Sequence, residues 1–311
     1  MKIGLYSITY AGIWYDGPAL SVKELIGRAK AQGYSGVELD GKRPHGNPMD
    51  LDEQARDAIR SEAARLGIEI VGVASNNDFS SPVPEHRQCQ LLMVREQIRL
   101  CADLGGKVVR LFGAWPGVTF REGLATYDLA RPAWERAFPG STRLERWRFV
   151  RDCLTESAAF AQAEGIVVAL QNHGPLIRHW RDVLDLVREV DSPALKVCLD
   201  APMLIRQDTD FVREAVHAVG ALQAHCHFGG EFRRLPDGRI AQKPPSLGRA
   251  PINYRAYLQA LVEIGYQGYL CYEFCHPALD ERHEPLGLAA IDEQARLARS
   301  FMHERIAAVS G

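Results

Sequence analysis

The chain has 311 residues, of which 24% are charged and 46% hydrophobic, with a formal net charge of -2. These are the proportions of an ordinary soluble globular protein. No long basic run is present, which argues against a phosphate-binding surface and against nucleic acid as a partner. No stretch reaches the roughly 18 uninterrupted apolar residues of a membrane span.

The opening MKIGLYSITY passes straight into a strand, KIGLYSITY (2–10), and lacks an apolar leader with a small-residue cleavage site. A helix is expected to open at Ser21, where Glu24 three residues on completes a capping box, and Gly33 can end it. GVELD (36–40) is the second strand, followed by a helix over about Leu51–Leu66 stopped by Gly67. IEIVGVAS (68–75) leads to a helix over 86–104, halted by Gly105-Gly106. KVVRLFGAW (107–115) is the fourth strand. A long segment, 116–143, precedes a helix over 144–164.

The fifth strand is VVALQNHG, followed by a helix over 178–190. LKVCLDAP and a helix over 209–219 form the sixth unit, and LQAHCHFGG is the seventh strand. A second long segment, 228–252, leads to a helix over 253–265. YLCYEFC is the eighth strand, and a helix over 287–308 follows it. Eight strand–helix units predict an α/β protein with one (β/α)₈ barrel spanning residues 1–311. A doubly wound open sheet is the alternative. It often carries a Gly-rich phosphate loop after its first strand, and SITYAGIWYDGP is not one. The seven cysteines are odd in number and form no Cys-x-x-Cys pair. Several lie within apolar strands, so buried thiols in a reducing cytoplasm are expected.

The last four barrel strands are apolar runs without polar alternation, as strands buried on both faces are. Each ends in polar residues: Gln171-Asn172-His173, Asp200, His225-Cys226-His227 and Glu273. In a parallel barrel the carboxyl ends of all strands open onto one face, where catalytic groups collect. A set of Gln, Asp, His and Glu there suits a divalent cation, with Mn²⁺ expected first and Mg²⁺, Co²⁺ or Zn²⁺ as alternatives.

A carboxylate at the end of a buried strand, such as Asp200 or Glu273, must be paired or metal-bound. His225 and His227 share one strand face, and His227 stands nearer the carboxyl end. His225, one layer deeper, suits a core histidine or a partner that orients a ligand. Gln171 brings an amide oxygen that can ligate but cannot take a proton, and His173 faces the same way. Glu38, Asn76 and Arg110 also sit near strand ends, as substrate contacts or as interior ion pairs. His45, in the second strand–helix loop, is a candidate for a polyol hydroxyl. Tyr10, Trp14 and Trp115 can stack on a sugar ring. The two long segments fall on the same face, and read as a lid carrying Trp115 and Phe120 and a wall carrying Phe232, Arg233, Arg234 and Lys243.

These strand-end motifs resemble the xylose isomerase-like TIM-barrel superfamily of sugar isomerases and epimerases. The likeness runs from KIGLYSITY to YLCYEFC. The resemblance implies one divalent metal held at Gln171, Asp200, His227 and Glu273, where the family has Glu, Asp, His and Glu. It also implies that the glutamates act on the substrate carbon. Ketose 3-epimerases of this group carry an Arg six residues after the His, a spacing that Arg233 matches. Two departures stand out: Gln171 replaces a glutamate, and Met203 stands where a His is frequent. The superfamily also includes inosose dehydratases, lyases acting on 3-keto-glycosides, and endonuclease IV with a richer ligand set.

Three functions follow as expectations. The first is a metal-dependent isomerase or epimerase of a keto sugar or polyol, with Glu273 as main base and Gln171 and His173 beside it. The second is a one-base lyase or dehydratase that eliminates from a 3-keto-glycoside or inosose, with His173 or His45 protonating the leaving group. The third is a barrel that only binds a sugar. A phosphorylated substrate would need Arg233 or Arg249. The expected partner is a small sugar or sugar derivative, and homo-oligomers are common among such barrels.

Overall fold

The computed structural model describes residues 1–244 and 250–310. In chain order the strands are β1 (Lys2–Tyr6), β2 (Gly36–Asp40), β3 (Glu69–Ala74), β4 (Val108–Leu111), β5 (Thr119–Arg121), β6 (Leu124–Thr126), β7 (Val167–Gln171), β8 (Leu195–Cys198), β9 (Gln223–Gly229), β10 (Phe232–Arg234), β11 (Ile240–Gln242) and β12 (Tyr269–Glu273). The helices are α1 (Val22–Ala31), α2 (Glu53–Leu66), α3 (Pro84–Asp103), α4 (Ala130–Ala137), α5 (Arg143–Ala163), α6 (Trp180–Val190), α7 (Thr209–Val219), α8 (Tyr254–Glu263) and α9 (Leu288–Ser310). Eight strands close into a barrel in the order β1-β2-β3-β4-β7-β8-β9-β12, with β12 returning to β1. Each neighbouring pair is parallel.

Local chemistry accounts for the expected elements. Ser21 and Glu24 form the capping box of α1. Asp52 caps α2, and Gly67 ends it in the left-handed conformation at φ 64°. Thr142 and Glu145 cap α5 in the same reciprocal way. The barrel strands are buried on both faces, and GVELD is buried at every position, its two carboxylates included. Gly72 lets β3 approach β4, since a Cβ there would stand 1.9 Å from the Val108 carbonyl oxygen. Among the described residues no helix is long and apolar enough to cross a membrane. The cysteines are all free thiols, and Cys101, Cys153, Cys198, Cys226 and Cys271 are buried.

The strands end earlier than their apolar runs suggest. β1 stops at Tyr6 and Ser7–Tyr10 turn into a 3₁₀ helix; β8 stops at Cys198, and Asp200 precedes another short 3₁₀ turn. The long segments carry structure that apolar periodicity does not announce. Residues 116–143 hold the β5–β6 hairpin and α4. The hairpin is tied to the loop after β1 by Ala125 N–H donating to Ile13 O at 2.7 Å. The Tyr127 hydroxyl donates to Cys275 O at 2.9 Å, just past β12. This segment therefore crosses the mouth from β4 to the β12 side, as a lid would. Phe120, expected on its inner face, is exposed instead.

The segment after β9 is described in part, and Arg249 lies outside the described residues. Its β10–β11 hairpin packs outward on α9, where Phe232 meets Phe301 at 4.7 Å and its backbone bonds the Gln294 side chain. Phe232 is buried there, whereas Arg233 and Arg234 are exposed. This hairpin braces the C-terminal helix, while Glu231, paired with Lys243, reaches His276 just past β12 at 3.2 Å.

Candidate active site

The carboxyl ends of β7, β8 and β9 bring three expected residues together. Asp200 Oδ2 stands 3.0 Å from His227 Nδ1, and the Asp200 Oδ1 accepts the His227 backbone N–H at 2.7 Å. Gln171 Nε2 donates to Asp200 Oδ2 and lies 3.4 Å from His227 Nδ1. All three are buried. Asn172 holds the turn, accepting Asp200 N–H at 2.8 Å through its own Oδ1. The barrel registers explain the convergence: Gln171 pairs with Cys198 and Cys198 with His225, so the three strand ends finish level.

Below them lies Glu38. Its Oε2 is 2.7 Å from His227 Nε2 and 3.0 Å from His225 Nε2, and it is fully buried. Burial alone would raise its carboxyl, but the two imidazoles outweigh burial and hold it well below the usual carboxylate range. Burial also works against a charged His227, yet Glu38 and Asp200 hold that ring well above its ordinary value. Asp200 is lowered against its burial, chiefly by His227. Of the alternatives read from sequence, substrate contact or interior partner, Glu38 and His225 take the interior arrangement and face the ligand cluster, not the open mouth. Tyr6 stacks on His227 with ring centroids 5.2 Å apart.

Glu273 ends β12, level with Gly229 of β9, and keeps part of its surface open to the mouth. Burial raises its carboxyl above the ordinary value, only partly offset by His227 and Arg110. Arg110 is buried beside it, donating to Ser75 O at 2.6 Å and to the Tyr6 hydroxyl at 3.0 Å. Its guanidinium lies 3.9 Å from the Phe112 ring centroid. Asn76 donates to Asp40 Oδ1 at 2.5 Å, and Tyr6 shares that oxygen at 3.2 Å. Asp40 and Tyr6 were not singled out from sequence. Asp40 carried a signal, since it follows Glu38 at the strand's two-residue period.

His173 donates from Nδ1 to Gly174 O at 2.6 Å, leaving Nε2 as an acceptor. Burial lowers it to about 4, and Arg110 adds to the effect. His45 donates from Nε2 to Leu20 O at 3.0 Å, and burial lowers it also. Burial thus disfavours in both rings the charged form that a leaving-group acid would use, and His173 presents an acceptor at Nε2. Trp14 stacks on Tyr127 at 5.5 Å, Trp115 meets Tyr127 at 6.0 Å and His173 at 5.0 Å, and Phe112 stacks on Trp115 at 4.8 Å. Of these rings Trp115 and Tyr127, the latter missed in the sequence, keep exposed surface, whereas Trp14 is buried at 1% exposure. Tyr10 instead faces Gln32 and Asp292, away from these rings. Arg233 is exposed and has no hydrogen-bond or ion-pair partner among the described residues.

The donor chemistry fits a cation. Among the described residues two sets of ligand atoms each lie within 4.8 Å of one another: Cys198, Asp200 and His227, and Glu38, His225 and His227. Glu273 belongs to neither set, though its charge acts on the same groups. Gln171 Oε1 is buried without a partner. Turning that amide over brings its oxygen to Asp200 and His227 Nδ1, a placement that makes sense with a cation between them.

A closed parallel barrel with polar, metal-capable strand ends defines a TIM-barrel protein with its site at the carboxyl face. The chain belongs to the xylose isomerase-like TIM barrel family, whose model matches residues 26–300. No curated protein matches its sequence. Among solved structures it is similar to D-psicose 3-epimerase of Clostridium cellulolyticum H10 with D-tagatose, at 18% identity and a TM-score of 0.72, covering 98% of this chain and 99% of that one. An L-ribulose 3-epimerase matches at 18% identity and a TM-score of 0.68, over 99% of this chain and 95% of that one. The 3-keto-D-glucoside 4-epimerase of E. coli matches at 19% identity and a TM-score of 0.67, over 96% and 99%. At these identities the likeness establishes the fold.

Proposed function

We propose that this protein is a divalent-metal-dependent enzyme of the isomerase/epimerase type acting on a keto sugar or polyol. The observation that carries the reading is the gathering of Gln171, Asp200 and His227 at three neighbouring strand ends, with Glu273 raised in pKa beside them. Their oxygen and nitrogen donors suit Mn²⁺ first, with Mg²⁺, Co²⁺ or Zn²⁺ as substitutes. Asp200, His227, Gln171 through Oε1, and Glu273 would hold the ion. When bound, it would polarise the substrate carbonyl and acidify the neighbouring C–H.

Glu273 takes the proton from that carbon and delivers it to the former carbonyl carbon, which interconverts aldose and ketose on one face. Its partial burial raises its basicity towards the range useful for a general base. Arg110, buried alongside, favours the ionised carboxylate and so keeps the base from being neutralised by its own desolvation. Tyr127 and Trp115 offer apolar ring surface to a sugar and exclude water from the reacting carbon, with Trp14 packed behind Tyr127. His173 Nε2 accepts a substrate hydroxyl.

Gln171 favours a second reading on the same site. Epimerisation benefits from an acid/base group on each face of the carbon, and an amide cannot serve as one. A one-base β-elimination from a 3-keto-glycoside or inosose, with Glu273 removing the α proton, needs no second base. The relationship to a 3-keto-D-glucoside 4-epimerase fold supports keeping oxidised glycosides in the substrate screen.

The test is proton exchange. The Mn²⁺-loaded protein is incubated in D₂O with keto-hexoses and 3-keto-glycosides, and NMR follows deuterium entry at the α carbon and release of any aglycone. Exchange is expected in the wild type, and Glu273→Gln is expected to slow it by about 10²–10⁴-fold. Unchanged exchange in Glu273→Gln would remove Glu273 as the base.

A further inference from the structure

His227 is gripped at both ring nitrogens. Nδ1 faces Asp200 and Gln171 on the mouth side, and Nε2 faces Glu38 at 2.7 Å on the interior side. The two sides are not equivalent. Strand residues repeat on a face every two positions, so Glu38 lies one layer deeper than Asp40, and His225 one layer deeper than His227. Glu38 and His225 meet in that deeper layer, reaching across the barrel from β2 and β9, which are not neighbours in the sheet.

Glu38 is 0% exposed, so a sugar entering from the mouth does not reach it. A carboxylate is an acceptor only. Its Oε2 faces both imidazole Nε2 atoms and its Oε1 has no partner among the described residues, so its hydrogen bonds there are to these two histidines. His225 thereby fixes the carboxylate, and the carboxylate fixes His227.

We propose that Glu38 is the positioning residue of the candidate metal centre: it holds the His227 Nε2–H, so that when an ion displaces the Nδ1 proton the freed Nδ1 already faces Gln171 and Asp200. The inference rests on the metal reading above. A ligating histidine whose other N–H is held by a carboxylate has its tautomer and ring orientation set before the ion arrives, and is the more basic ligand for it. Glu38 also places a negative charge behind a site where Gln171 has replaced an expected one.

The test compares wild type, Glu38→Gln and Glu38→Leu. Mn²⁺ affinity is measured by EPR titration of free ion, without substrate. Glu38→Gln retains an acceptor for Nε2–H and is expected to stay within a few-fold of wild type. Glu38→Leu is expected to bind about 10–100-fold more weakly. The Co²⁺-loaded proteins give a second readout by paramagnetic NMR. A hyperfine-shifted imidazole N–H protected from solvent exchange is expected in wild type and Glu38→Gln, and its loss in Glu38→Leu. The wild-type and Glu38→Gln spectra decide the matter if Glu38→Leu does not fold. Equal Mn²⁺ affinity in Glu38→Leu, or no protected N–H in the wild type, would overturn the assignment. If the wild type takes up neither ion, the metal reading falls and this one with it. Tight wild-type binding with no effect of Glu38→Leu removes Glu38 alone.

Discussion

Restoring the carboxylate at position 171 separates two forces that the structure sets against each other. Gln171 donates from Nε2 to Asp200 Oδ2, and both side chains are buried. Gln171→Glu removes that donor, which costs about 1.5–3 kcal/mol for a hydrogen bond to a charged group. It also places a second carboxylate against the first. At ~4 Å and an effective dielectric of 20, that repulsion is about 4 kcal/mol. The charged His227 ring, whose Nδ1 lies 3.4 Å from the Gln171 amide, offsets an amount similar to the repulsion. The net expectation without metal is a loss of roughly 2 kcal/mol, or roughly 3 °C in Tm for a chain of this size. With a divalent ion the sign reverses, because a carboxylate is a stronger ligand than an amide. Thermal melts in EDTA and in saturating Mn²⁺ read both effects. The Mn²⁺-induced rise in Tm should be larger in Gln171→Glu than in the wild type. An EDTA melt identical to wild type would contradict the Gln171–Asp200 contact. An equal Mn²⁺-induced rise would show that position 171 does not face the ion.

Other consequences are testable in the same preparation. Arg110→Met strands Ser75 O and the Tyr6 hydroxyl and leaves Glu38 and Glu273 without their buried cation. A loss of about 1.5–3 kcal/mol in denaturant unfolding is expected from the hydrogen bonds of the charged group, and an unchanged stability would refute their contribution. Tyr127→Phe releases the strap from Cys275. Its KM should rise with kcat and Tm little changed, whereas an unaltered KM would deny the lid role. Glu231 bonds His276 at 3.2 Å and Lys243 at 2.5 Å, which hold its carboxyl at about 2. That depressed value contributes stability above the ordinary carboxylate pKa, and the contribution is lost as pH falls through about 2. Because Glu231 is about one-third exposed, the gap between wild type and Glu231→Gln should stay under about 1 kcal/mol at pH 7 and close on acidification. A gap that persists at pH 2 would show that it is not electrostatic.

The barrel was legible because eight apolar runs alternate with capped helices, and each run lacks the polar alternation of a half-exposed strand. The same feature exposed the site: Asp200 and Glu273 end runs in which a lone carboxylate has no bland place to go. Glu38 was visible too, but its partners were not. They lie 187 and 189 positions away, and only barrel closure brings them together. Tyr127 and the β5–β6 hairpin lie in a loop whose order comes from tertiary hydrogen bonds, such as those to Ile13, Cys275 and Asp78, and not from periodicity. Arg233 shows the opposite failure. Its spacing from His227 suggests a substrate contact, but β10 turns outward onto α9 and leaves it exposed.

Elemental analysis of the untagged protein, as moles of Mn, Mg, Co, Zn and Fe per chain, tests the central claim most directly. About one divalent ion per chain, lost from Asp200→Ala and from His227→Ala, is the expected result. A wild-type protein that holds no ion, even after incubation with each in excess, would contradict it.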